Sequence, residues 1–116
     1  IGIALSNIDL SGGTISPSIG DISALTELYM SSNSLGGTLP STVGRLSSLS
    51  LLDISFNSVS GSLPTTVGDL VSLTIINVCF NELQGVIPTA IGELSNLRNL
   101  LLCWTSVSGT IPTSIG

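Results

Sequence analysis

The sequence predicts a solenoid of the α/β type, mostly β in practice, in which short parallel strands from successive units stack into one sheet. Three observations predict it. The chain repeats itself every 24 residues, each unit opens on a short apolar alternation, and each carries Gly and Pro at fixed places where a long helix would need neither. Pro40, Pro64, Pro88 and Pro112 are evenly spaced, as are Gly37, Gly61, Gly85 and Gly109, and Gly20, Gly44, Gly68, Gly92 and Gly116. Asn33, Asn57 and Asn81 keep the same step, with Thr105 in the next place, and Leu25, Leu49, Leu73 and Leu97 open the successive units.

One unit, read from Leu49, runs LSLLDISFNSVSGSLPTTVGDLVS. Its first stretch alternates, so a short strand there turns two apolar side chains inward. The inward pairs are Leu28 and Met30, Leu52 and Ile54, Ile76 and Val78, and Leu100 and Leu102, on strands within 25–31, 49–55, 73–79 and 97–103. Neighbouring strands then lie roughly 4.8 Å apart. The Asn column follows, where a buried amide can bond backbone groups of its own turn and of the adjoining unit. The Gly column allows a close backbone approach ahead of a second short strand at Ser62–Leu63 and its equivalents. Proline ends that pairing. A 3-10 turn from Thr65 to Leu70, with Val67 and Leu70 inward, returns the chain to the next strand. One such unit cannot bury its apolar face alone, so stability is expected from nearest-neighbour stacking.

The pattern L-x-x-L-x-L-x-x-N matches the leucine-rich repeat signature. The tail, Gly-x-Ile/Leu-Pro-x-x-Ile/Val-Gly-x-Leu, resembles the plant-specific class found in receptor-like kinase ectodomains and polygalacturonase-inhibiting proteins. DISFNSVSGSLP, from Asp53 to Pro64, is especially close to it. WTSVSGTIP, from Trp104 to Pro112, also looks like repeats of trypanosomatid surface proteins. The resemblance is close over 13–116 and loose over 1–12. It implies a right-handed superhelix with the sheet on its concave side and the short second strands and 3-10 turns on its convex side. It also implies an extracellular or cell-surface location and a non-enzymatic binding role. Residues 1–116 are read as a single solenoid of about 4.5–5 units, with 1–12 an irregular lead-in. Ile8 falls where Asn is expected, Pro17 is displaced by one, and an extra residue is needed near Gly12–Gly13. The chain starts at Ile1 without Met and lacks the Cys-paired caps usual in the class, so it reads as part of a longer array.

Composition narrows the chemistry. Charged residues make up 8%, and seven acids against two bases give a net charge of −5, against binding to nucleic acid or to anionic membrane surfaces. There is no histidine, which removes the commonest general base and metal ligand. No apolar run reaches the roughly 18 residues of a membrane span. Asp21, Arg45, Asp69 and Glu93 share one column on the outer turn and read as a solvated edge. Asp53 is alone among the acids at the middle of the sheet face, whereas a glycosidase needs a facing pair. The Gly-rich stretches lack the Lys of a phosphate-binding loop. No enzyme, cofactor or metal site is expected.

Cys79 and Cys103 are the only cysteines, one period apart in the same outward column. Their Cα separation is expected near roughly 5 Å, within disulfide range, but in-register strands hold Cβ atoms as far apart as Cα atoms, beyond the roughly 3.8 Å a disulfide prefers. Two free thiols are therefore expected ahead of a disulfide.

The outward rows form the candidate binding face: Glu27, Leu51, Ile75 and Asn99; Tyr29, Asp53, Asn77 and Leu101; Ser31, Ser55, Cys79 and Cys103; then Ser32, Phe56, Phe80 and Trp104. The last row holds three of the four aromatics, a residue type enriched at interface hot spots. It reads first as a ladder of rings packing on one another and second as a binding row. Tyr29, Asp53, Phe56, Asn77, Phe80, Leu101 and Trp104 are the candidate contacts, and Asn33, Asn57 and Asn81 the structural ladder. On the opposite side run hydroxyl rows: Thr38, Ser62 and Thr110, broken by Val86; Ser41, Thr65, Thr89 and Thr113; and Thr42, Thr66 and Ser114, broken by Ala90. The expected function is a recognition scaffold binding a protein, peptide or glycan on the sheet. The alternatives are a structural protein whose uncapped units stack head to tail, Ile3 and Leu5 continuing the sheet of another copy, and an ice-binding solenoid using the hydroxyl rows.

Overall fold

A computed structural model describes residues 2–4 and 12–112 of the chain. Five strands form one parallel sheet in the order β1 (Gly2–Ala4), β2 (Glu27–Tyr29), β3 (Leu51–Asp53), β4 (Ile75–Asn77) and β6 (Asn99–Leu101). Leu28, Leu52, Ile76 and Leu100 stand opposite one another in register, and Ile3 pairs with Leu28. That first step is one residue longer than the others. Between Asp21 and the next strand, and at every equivalent place, the chain runs through a loop that brings the new strand alongside the last.

The inward alternation fills the core. Leu28, Leu52, Ile54, Ile76 and Val78 are almost fully enclosed, and Met30 is buried. Leu100 and Leu102 are half-buried, since no described strand covers them on the far side. On the opposite wall stand four 3-10 turns, Pro17–Asp21, Ser41–Arg45, Thr65–Asp69 and Thr89–Glu93. Val43, Val67 and Ile91 point inward from them, followed by Leu46, Leu70 and Leu94. Pro40, Pro64 and Pro88 each stand immediately before their turn, in extended or near-extended backbone that proline's fixed φ favours. In the first unit Ser16 holds that place and caps the turn by accepting from the Ser18 N–H, so that Pro17 becomes the first residue of the turn.

The glycine at the fourth position of each turn answers to close stacking. A Cβ on Gly44 would lie 2.7 Å from the Thr66 carbonyl oxygen, and one on Gly68 2.8 Å from that of Ala90. Only a residue with no side chain lets neighbouring turns sit this close.

Three details differ from the sequence reading. The second strands are β5 (Gln84–Val86) and β7 (Ser106–Ser108), paired parallel to each other, with single bridges Thr14–Gly36 and Thr38–Ser60 in the earlier units. The pairing therefore does not follow the glycine: β5 contains Gly85, β7 stops just before Gly109, and Ser62–Leu63 form no strand. The reason is backbone geometry: Gly61 and Gly85 adopt φ of 73° and 85°, and the chain leaves the pairing soon after that turn.

The third outward row turns inward at its middle, although Cys103 at its end is exposed. Ser55 and Cys79 are 3% and 4% exposed. Alternation ends after Ile54, where Ser55 is drawn in by donating both its N–H and its hydroxyl to Asp53 Oδ1.

The cysteines are not free thiols. Cys79 and Cys103 form a disulfide with a Cα separation of 4.6 Å. Both lie beyond the ends of β4 and β6, where the chain is already turning. Their Cβ directions are thus released from the parallel alignment that in-register strand residues impose, and the sulfurs can meet.

Past each strand the backbone ladder continues, with Phe56 N–H donating to Cys79 O and Phe80 N–H to Cys103 O. It reaches a left-handed residue in each of the four units from β2 onward: Ser32, Phe56, Phe80 and Trp104 have φ of 59°, 54°, 56° and 52°. Such a conformation is strained for any residue with a Cβ. Ser32 is exposed and stacks no ring, so Ser32→Gly is expected to stabilise the chain by about 1 kcal/mol. A rise in the denaturant midpoint at unchanged slope is the measurement, and a fall would contradict the strain assignment.

The expected strand role of Leu5, the position of Ile8, the ends Ile1 and Gly116, and the hydroxyls of Thr113 and Ser114 lie outside the described residues.

Candidate interaction surface

The registers bring the sequence-selected residues into two rows. Tyr29, Asp53, Asn77 and Leu101 stand side by side across β2, β3, β4 and β6. Phe56, Phe80 and Trp104 form a second row beyond the strand ends, separated from the first by the buried Ser55 and Cys79. In the first row Asp53 Oδ1 is committed to Ser55, and Asn77 Oδ1 accepts from the Cys79 N–H at 3.2 Å. These polar side chains serve their own turns with one oxygen and leave the rest to the surface. Leu101 is 41% exposed. The outward row of Glu27, Leu51, Ile75 and Asn99 adjoins them, with Leu51 and Ile75 half-buried. It is part of the same face, and the strand alternation that places it outward is the signal for including it.

The aromatic row is a stack. Phe56 and Phe80 lie with ring centroids 4.3 Å apart and planes 11° from parallel; Phe80 and Trp104 are 5.8 Å and 19°. The left-handed φ at each residue directs every ring the same way out of its turn, and the sheet repeat sets the spacing. Packing on one another does not hide them: Phe56 is 54% and Trp104 76% exposed.

The Asn column lies beneath this row. Asn57 Nδ2 donates to Met30 O and Ile54 O, both at 2.9 Å, and to Ser55 O at 3.1 Å, while its Oδ1 accepts from the N–H groups of Asn33 and Leu35. Asn81 donates to Ile54 O and Val78 O and accepts from Val59 N–H. Asn33 donates to Met30 O. Each amide is spent on backbone, which assigns this column to the architecture and not to a ligand.

On the opposite side the hydroxyl rows divide. Thr42 and Thr66 donate inward, to Pro17 O at 2.6 Å and Ser41 O at 2.7 Å, tying each turn to the one before. Ser41, Thr65 and Thr89 face solvent. Asp21 and Arg45 form an exposed ion pair at 3.6 Å. Among the described residues no cluster of three or more His, Cys, Asp or Glu is placed to hold a metal ion, and no helix is long and apolar enough to cross a membrane. The exposed apolar residues Val86 and Ile111, 60% and 70% exposed, are not among the sequence candidates. Val86 was visible only as the interruption of a hydroxyl row.

The chain matches the Leucine Rich Repeat family model over residues 24–46, 48–70 and 72–94, and it belongs to the leucine-rich repeat family. Within that family its solved neighbours include plant receptor-kinase ectodomains. A chain in the crystal structure of the BIR3–SERK2 complex from Arabidopsis thaliana is 34% identical, with a TM-score of 0.89, over 97% of this chain and 60% of that one. The ectodomain of the Arabidopsis receptor kinase HAESA, solved with an N-terminally extended IDA peptide hormone ligand, is 31% identical at a TM-score of 0.89, over 96% of this chain and 19% of that one. A plant ice-binding protein is 32% identical at a TM-score of 0.83, over 89% of this chain and 34% of that one. The chain therefore spans less than two thirds of each of these proteins. No curated protein matches it.

Proposed function

We propose that the chain is a non-enzymatic recognition scaffold, extracellular or cell-surface like the receptor ectodomains it resembles, which binds a protein or peptide across the outer face of its sheet. The observation that carries this reading is the exposed stack of Phe56, Phe80 and Trp104 bordering the row of Tyr29, Asp53, Asn77 and Leu101. Rigid aromatic area beside a few oriented polar groups is what interface hot spots are made of. A polypeptide suits the stack better than a glycan. The rings cover one another's faces and offer mainly their edges, and electropositive ring edges complement the carbonyl oxygens of a peptide backbone.

Peptides selected from a displayed random library against the chain provide the test. Trp104→Ala is expected to weaken their binding about 30-fold, the equivalent of 2 kcal/mol. Thr65→Ala, on the opposite side, should leave it unchanged. Normal binding by Trp104→Ala together with loss in Thr65→Ala and Thr89→Ala would move the site off the sheet. A second reading, ice binding, is favoured by the solvent-facing row of Ser41, Thr65 and Thr89 and by the likeness to a plant ice-binding protein. Thermal hysteresis that Thr65→Ala abolishes would select it.

A further inference from the structure

Two successive junctions between neighbouring units are bridged by the asparagine of the later unit. Asn57 reaches back to Met30 O and accepts from Leu35 N–H; Asn81 reaches back to Ile54 O and accepts from Val59 N–H. At the next junction the column holds Thr105. Its turn has the same shape as the others, with Trp104 at φ 52° against 56° for Phe80 and 54° for Phe56. Its side chain, however, is spent at home: the hydroxyl donates to Leu102 O at 2.7 Å, inside its own unit. A threonine hydroxyl has one proton to donate, where the amide of Asn has two and a separate acceptor. The Leu83 N–H, the equivalent of Leu35 and Val59, consequently lacks the side-chain acceptor those two possess. This junction also carries the chain's only two cysteines, joined as a disulfide two residues before Thr105.

We infer that the Cys79–Cys103 disulfide replaces the missing asparagine bridge, and that its reduction loosens this junction while the earlier junctions stay closed. Three observations make the loosening local. A solenoid is stabilised between nearest neighbours, so one weakened junction does not oblige the others to open. The last described unit makes no asparagine bridge to the unit before it, its Thr105 hydroxyl bonding Leu102 O instead. The bonds of Asn57 and Asn81 do not involve it. Cys103 is the exposed partner and Cys79 the buried one, so a reagent meets the bond from the Cys103 side. With a dithiol reductant the step balances. The Cys79–Cys103 bond breaks, the reductant's two sulfurs join in a disulfide, and its two hydrogens end on Cys79 Sγ and Cys103 Sγ. Trp104, next to Cys103, moves with the loosened unit, which makes the redox state of the pair a control on one end of the aromatic stack.

Amide hydrogen exchange on the full chain, with and without dithiothreitol, tests the inference. On reduction, amides within 99–112 are expected to exchange about tenfold faster, while those within 27–29 and 51–53 change by less than about twofold. Cys79→Ser with Cys103→Ser should reproduce the reduced pattern without reductant. In the reduced chain, Thr105→Asn should restore the bridge and cut the acceleration to about threefold or less. The fluorescence anisotropy of Trp104, the only tryptophan, should fall on reduction and recover in part in Thr105→Asn. Unchanged exchange within 99–112 on reduction would overturn the inference. So would equal acceleration throughout the sheet, or a reduced Thr105→Asn chain that exchanges as fast as the reduced parent.

Discussion

Asn57→Ala is expected to lower the stability of the chain by about 3 kcal/mol, a large share of the total for a chain of this size. The substitution removes one side chain and with it the bonds to several backbone groups. Met30 O and Ile54 O lose a donor, and the N–H groups of Asn33 and Leu35 lose their acceptor. Asn33 and Leu35 are 2% exposed, so water does not readily replace what is lost. Units on both sides prevent the turn from relaxing. Asn77→Ala is the control: it is half-buried and its side chain makes a single hydrogen bond, from the Cys79 N–H, so the change should cost no more than about 1 kcal/mol. Denaturant titration of both variants decides the matter, and equal midpoints for Asn57→Ala and the parent would refute the bridging role.

Gly44→Ala is the second large effect, expected at about 2–3 kcal/mol of destabilisation. The added methyl would stand 2.7 Å from both the carbonyl oxygen and the Cβ of Thr66, on the next 3-10 turn. Neither atom is the end of a flexible side chain. The two turns must separate, and the Thr66 hydroxyl bond to Ser41 O stretches with them. Gly36→Ala, where the methyl meets nothing within 4 Å, should stay within about 1 kcal/mol of the parent. Thermal denaturation distinguishes the two. A Gly44→Ala chain as stable as Gly36→Ala would show that turn stacking is looser than the structure has it.

Much of this fold is legible before any coordinate is known, for a physical reason. Each column of the repeat does one job, and the job recurs under the same constraint. Leu28, Leu52 and Ile76 must face inward because their neighbours do, and Gly44 and Gly68 must lack a side chain because the next turn lies against them. The Asn column follows equally: a buried amide at a strand's end has only backbone to bond. The candidate face was legible as rows, since alternation along a strand and repetition across strands determine what lies beside what. The ring stack followed from that, although its geometry did not.

What the repeat pattern left open depends on directions at the places where regular structure stops. Alternation assigns Ser55 and Cys79 outward only while the strand continues. Once the chain bends after Ile54 and Val78, both turn in. The same bend frees the Cβ directions of Cys79 and Cys103, so residues that in-register strand geometry would keep apart become a disulfide. The second strand shifts onto the glycine because a left-handed φ at Gly85 sets where pairing ends. Sequence periodicity alone determined which residues share a row and which face is apolar, because these follow from counting along a chain of fixed rise. Tertiary structure decided which side chains turn in after the strands and which sulfurs meet, because those depend on the path of the backbone past the strand ends.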